Sequence, residues 1–149
     1  MIVEPLSRPD PHWLRMRRAL WPDASEAEHL DEVRSFLDEP GRFGQFIARD
    51  ASGHALGFVE VAIRHDYVNG TESSPVGFLE GIHVEPEARR RGVARALVEA
   101  AARWARGKGC AEFATDALLE NEASHAVLRR LGFQETERVV CFRRRLAPE

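Results

Sequence analysis

The sequence predicts a single α/β domain with a mixed, mostly antiparallel central sheet flanked by helices. Two observations carry this. A length of 149 residues suits one hydrophobic core. Strand-like and helix-like segments alternate in the order β-α-α-β-β-β-α-β-α-β, so a meander precedes the β-α-β-α part. That order implies a mixed sheet rather than a doubly wound parallel one.

The elements follow in turn. Ile2 to Pro5 reads as a short strand. Pro9 to Leu20 carries Trp13, Leu14, Arg17 and Leu20 at helical spacing and ends at Trp21-Pro22. Ser25, with Glu28 three residues on, is a capping-box signature for a helix to about Asp38, which Pro40-Gly41 breaks. Gln45 to Arg49 and Leu56 to Arg64 read as a hairpin turning at Gly53. Asp66 to Pro75 is a polar loop, and Val76 to Val84 is a strand stopped by Pro86. Val93, Leu97, Val98, Ala101 and Trp104 mark one helix face, which Gly107 and Gly109 close. Cys110 to Thr115 is a strand, Asn121 to Leu131 a helix stopped by Gly132, and Arg138 to Arg145 a last strand.

Composition narrows the function classes. Apolar residues make up 44% and charged residues 30%, an ordinary balance for a folded domain. A net charge of −3 points away from nucleic acid. No apolar run nears the ~20 residues of a membrane span, and Met1 to Pro5 has no secretory pattern. A cytoplasmic protein is expected. Cys110 and Cys141 lack metal-ligand spacing and read as buried free thiols.

The chemistry concentrates between Phe78 and Trp104. Arg89-Arg90-Arg91-Gly92-Val93-Ala94 follows a strand and opens a helix. The first N–H groups of a helix lack intrahelical partners and present partial positive charge to an anion. Gly92 leaves the backbone bare, and the arginines add phosphate-compatible donors. This suits a pyrophosphate. It is neither a Walker loop nor a Gly-x-Gly-x-x-Gly fingerprint. A tight loop with surface arginines has the same sequence, so physics alone leaves both readings open.

The Arg89-x-x-Gly92-x-Ala94 pattern resembles the acyl-CoA loop of the GNAT superfamily of N-acetyltransferases. Leu79-Glu80-Gly81-Ile82-His83-Val84 resembles its central strand, and Asn121 with Leu131-Gly132-Phe133 resembles its next helix and the entry to its closing strands. The resemblance implies the GNAT fold and acetyl-CoA as co-substrate, with no metal. It implies that the N–H groups of Arg89, Arg90, Arg91, Gly92, Val93 and Ala94 hold the pyrophosphate. The Ile82, His83 and Val84 backbone would pair with the pantetheine arm, and Asn121 would bond that arm near the thioester.

A finer resemblance spans about Trp13 to Arg144. Trp21-Pro22, the run Ile63 to Gly70, Ser73-Ser74-Pro75, Phe78 to Ile82, and Gly132-Phe133 with Glu135 to Arg138 are similar to the chromosomal type of aminoglycoside 6′-N-acetyltransferase. It implies an acceptor site of Trp21, Tyr67, Glu80, Asp116 and Glu137, and a homodimer. The residue types agree. Glu80, Asp116 and Glu137 would hold the ammonium groups of a polycation, and Trp21 and Tyr67 could stack on sugar rings or face a cation.

Alternation along the strand puts Val76, Phe78, Glu80, Ile82 and Val84 on one face. A carboxylate there needs a partner or its pKa rises. Glu80 either pairs with an arginine or serves the acceptor, orienting the amine or deprotonating it directly or through water. His83 falls on the opposite face and reads as structural; His65 stays open as an alternative base. A backbone N–H near Val84 would polarise the thioester carbonyl. Many superfamily members carry a tyrosine seven residues after the helix asparagine as general acid, but here that position is Leu128. Either solvent then protonates the thiolate or another residue serves as the acid. The alternatives are a GNAT enzyme for a polyamine, amino sugar or peptide N-terminus, and a non-catalytic acyl-CoA sensor.

Overall fold

The computed structural model describes residues 1–149. The chain forms two compact units, Met1–Asp116 and Ala117–Glu149.

The first unit contains β1 (Ile2–Pro5), α1 (Pro11–Leu20), α2 (Glu26–Leu37), β2 (Phe43–Arg49), β3 (Ala55–Arg64), β4 (Val76–Val84), a 3-10 turn over Pro86–Ala88, α3 (Val93–Gly107) and β5 (Phe113–Ala114). Its sheet runs β1-β2-β3-β4-β5. The first three pairings are antiparallel and the last is parallel, with α3 as its crossover. The sheet is therefore mixed and mostly antiparallel. The expected strand from Cys110 to Thr115 is limited to Phe113–Ala114.

Local chemistry explains the helix starts. Asp10 caps α1 by accepting from His12 N and Trp13 N, with Pro11 at the first helical position. Ser25 and Glu28 form the full capping box of α2. Gly109, at φ +91°, follows α3, and Cys110 N donates back to Ala105 O at 3.1 Å.

Helices cover both faces of β3, so nearly every residue of that strand is buried. Trp13, Met16 and Val33 pack with Phe58 on one face. On the other, Ile63 packs with Ala105, and a Cβ on Gly57 would meet Leu97. Alternation along β3 separates the two sets.

One irregularity governs the site. Glu60 pairs with Gly81, but Val61 pairs with Leu79, so Glu80 is the extra residue of a β-bulge. The bulge breaks the alternation expected for Val76 to Val84. Val76, Phe78 and Glu80 share a face, whereas Ile82 and Val84 turn to the other. His83 packs its ring 6.3 Å from Phe58, on the α1 side. The expectation that His83 opposes Glu80 is corrected by that one inserted residue.

The second unit holds α4 (Glu122–Arg130). Asn121 is its N-cap and accepts from Ser124 N at 3.2 Å. Gly132, at φ +95°, ends it as expected, with Phe133 N donating to Leu128 O at 3.0 Å. Arg138 to Arg145 forms no strand, contrary to its sequence pattern. A strand exists only with a ladder partner, and this segment has none in the chain. Cys141 was expected to be buried by that strand and is exposed; Cys110 is buried.

Candidate active site

The site begins where β4 leaves β5. β5 pairs with β4 only at Gly77 and Phe78. Beyond them, β4 keeps β3 on one side, and from Glu80 to Val84 its other edge carries no strand. That bare edge is what an extended amide-bearing chain needs. Thr115 Oγ1 donates to Leu79 O at 3.0 Å, just where the strands part.

The bare edge runs on into the 3-10 turn and then the exposed Arg89, Arg90 and Arg91. Arg90 and Gly92 both take positive φ, +63° and +78°. Gly92 is the N-cap of α3, with no side-chain cap and no acidic residue in the first turn. Open space surrounds it. The helix thus starts without a side-chain cap, which fits a pyrophosphate group. A bare strand edge and an uncapped helix start therefore follow one another along the chain, the order that an acyl-CoA would need.

Two of the side chains expected to serve an acceptor, Glu80 and Trp21, meet around the bulge. Glu80 is gripped by Arg64. Arg64 Nη2 donates to both carboxylate oxygens, at 2.9 and 3.0 Å, and Nε to Oε1 at 3.2 Å. Arg64 in turn stacks 3.6 Å over the Phe78 ring. The arginine partner weighed for Glu80 from sequence is real, and it fixes the carboxylate while leaving it partly exposed. Trp21 lies against the same spot: a Cβ on Gly81 would come 2.5 Å from its indole. Asp116 follows Thr115, whose bond to Leu79 O sets it beside the residue preceding Glu80.

Tyr67 is 74% exposed on the loop of residues 65–75, beside the buried anchor Val68. The loop is tied down by Glu112, which accepts from Glu72 N at 2.8 Å and from Ser73 Oγ. The Ser73 bond, foremost, holds the Glu112 carboxyl below its ordinary range. Asn121 and Glu137 belong to the second unit.

His83 Nε2 is buried without a hydrogen bond and stands 3.5 Å from Glu85, which also takes a 2.6 Å bond from Arg15. Burial pushes the Glu85 carboxyl up, but the bond and charge of Arg15, with His83, outweigh it and hold the group low.

Sequence reasoning missed a second carboxylate on the α1 face. Glu60 is buried in β3, accepting from Trp13 Nε1 at 2.9 Å and from Arg17. Burial dominates and pushes its carboxyl above the usual range, against the pull of Arg17 and Trp13. Its signal was present: a lone glutamate in the apolar run Leu56 to Ile63, the argument applied to Glu80.

The profile of the acetyltransferase (GNAT) family matches residues 13–133. The chain belongs to the GNAT family. It is 50% identical over 137 residues to the aminoglycoside N(6′)-acetyltransferase type 1 of Stenotrophomonas maltophilia, covering 91% of this chain and 87% of that one. Among solved structures, it superposes on the aminoglycoside antibiotic 6′-N-acetyltransferase AAC(6′)-Ig of Acinetobacter haemolyticus with a TM-score of 0.91 and 47% identity, covering 99% of this chain and all of that one. It also matches AAC(6′)-Iy in complex with the bisubstrate analogue CoA-S-monomethyl-acetylneamine, with a TM-score of 0.89 and 44% identity over 97% of this chain and 98% of that one. This GNAT enzyme therefore has a CoA-dependent acyltransferase fold, and its bare β4 edge and uncapped α3 are the features that fit the co-substrate.

Proposed function

We propose that this chain transfers acetyl from acetyl-CoA to the 6′-amine of an aminoglycoside by direct attack in a ternary complex. The observation that carries the reading is the bulge at Glu80. It opens the bare β4 edge and adjoins Gly81, against which the Trp21 indole lies, so in this reading it stands between the thioester and the amine. AAC(6′)-Iy, 44% identical, holds a CoA–neamine conjugate.

In this reading the backbone from Ile82 to Val84 receives the pantetheine arm, and residues 89–94 receive the pyrophosphate. Glu80, already fixed by Arg64, uses its remaining lone pairs to orient the acceptor ammonium and to draw off its proton, directly or through water. An N–H near Val84 polarises the thioester carbonyl. Trp21, Tyr67 and Asp116 line the acceptor side. Asn121 and Glu137 add a donor for the arm and a further carboxylate. Leu128 cannot act as an acid, so solvent protonates the leaving thiolate, whose pKa of about 8.5 makes that easy.

The 149 residues act as one acetyltransferase domain, and the enzyme is a homodimer. The apolar side chains of the second unit support an assembly: Val139, Val140 and Leu146 are exposed and Phe142 is 91% exposed. It works in the cytoplasm, where acetyl-CoA is available and where two free thiols persist.

The test is thiol release from acetyl-CoA with a panel of amines. Release with kanamycin- and tobramycin-like compounds is expected. Release with spermidine and not with these would replace the aminoglycoside by a polyamine.

A further inference from the structure

Trp21 is held by more than its own packing. Behind it lies a buried polar chain contributed by α1, α2 and β3. Arg17 is 1% exposed. Its Nη1 donates to Glu60, its Nη2 to Glu32, and its Nε to His29 Nδ1 at 3.2 Å. Because Nδ1 of His29 accepts, the ring proton is on Nε2, which donates to Trp21 O at 3.0 Å. Trp21 N donates to Arg17 O at 2.8 Å. The Arg17 guanidinium also lies 4.8 Å from the centre of the indole. Thus one side chain stacks on the Trp21 ring and, through His29, fixes the Trp21 carbonyl.

A buried ion pair is a poor device for stability, since an apolar filling of equal volume often does as well or better. It is a good device for direction. Three donors in a planar fork, each with a partner, admit one orientation of the guanidinium and hence one plane for the ring stacked on it. The far edge of that ring touches the backbone at Gly81, next to Glu80. A small tilt there would change the width of the amine side of the site and leave the α3 loop untouched.

We propose that Arg17, with Glu60 and His29, is a positioning residue for the acceptor, setting the plane of Trp21 against Gly81. The inference rests on the reading of Trp21 as a wall of the acceptor site. None of the three side chains touches substrate; they act through the indole.

Steady-state kinetics with tobramycin and acetyl-CoA separate this from a merely structural role. His29→Leu should raise the acceptor KM about tenfold, with kcat and the acetyl-CoA KM within about twofold of wild type. His29→Gln, whose amide can accept from Arg17 and donate to Trp21 O, should restore the acceptor KM. The double substitution Arg17→Met with Glu60→Leu fills the cavity with apolar atoms but leaves Trp13 Nε1 without its acceptor; the thermal midpoint should fall, and the folded protein should still show a raised acceptor KM. An unchanged acceptor KM in a folded His29→Leu or double variant would overturn the proposal, as would kcat and both KM values moving together. If wild type acetylates no aminoglycoside, the acceptor reading falls instead. The indole N–H resonance of Trp21 then decides the positioning. A shift in His29→Leu that His29→Gln reverses supports it, and an unmoved resonance refutes it.

Discussion

The two units of the chain are built on opposite terms. In Met1–Asp116, β3 is buried along nearly its whole length, and Trp13, Met16, Val33 and Phe58 close a core beneath it. In Ala117–Glu149, α4 buries no residue, and Val139, Val140, Phe142 and Leu146 are exposed. Both stretches carry apolar residues in strand-like or helix-like segments. The difference is that the first supplies its own opposing surfaces and the second does not. An apolar pattern predicts burial only where the same chain, or a partner, provides something to be buried against.

The sharpest test of that contrast compares one residue from each unit. Trp13→Ala should destabilise the protein by about 3–5 kcal/mol, as for large aromatic deletions in cores, and it also strips Glu60 of a donor. Phe142→Ser should leave the unfolding free energy of dilute protein, from urea titration, within about 0.5 kcal/mol of wild type while weakening any concentration-dependent stabilisation. Equal losses in both variants would mean that the second unit shares a core with something under all conditions.

The next prediction stays within the first unit and sharpens the division of its site. Gly92→Asp must force a side chain into a left-handed backbone, at about 1–2 kcal/mol, and places a negative charge at the start of α3. Acetyl-CoA should bind at least tenfold more weakly by calorimetry, with the acceptor KM little changed. Unaltered acetyl-CoA affinity would remove the phosphate role from this loop.

The smallest effect concerns pH. Glu85 has a depressed pKa in the folded state, so its ionised form is favoured by folding. Its contribution to stability is present above the unfolded carboxylate pKa of about 4.3 and is lost as pH falls through the depressed value. Glu85→Gln should therefore flatten the acid limb of a plot of thermal midpoint against pH. An unchanged slope would place the acid sensitivity elsewhere, with Glu112, also depressed, as the next group to test.

Much of this protein was legible in sequence because the deciding interactions are local. The capping box at Ser25, the stops at Gly109 and Gly132 and the hairpin at Gly53 depend on neighbours a few residues away. The sequence also marked Gly92 and the arginines before it, since a helix start needs no distant partner to present its N–H groups. Its motifs resembled the GNAT family, to which the chain belongs.

Other features were decided only in three dimensions. One extra residue in β4 turned Ile82 away from Glu80 and brought His83 to the α1 side, and a bulge is a property of two strands, not one. Glu60 found Trp13 and Arg17 from 47 and 43 residues away. Trp21 met Gly81 across a gap in sequence that no periodicity spans. Arg138 to Arg145 had the residues of a strand and formed none, because pairing requires an edge that a linear pattern cannot supply. Local sequence determined the helix starts and the turns; strand pairing, and the partners that register brings together, determined which strands exist and what surrounds Glu80.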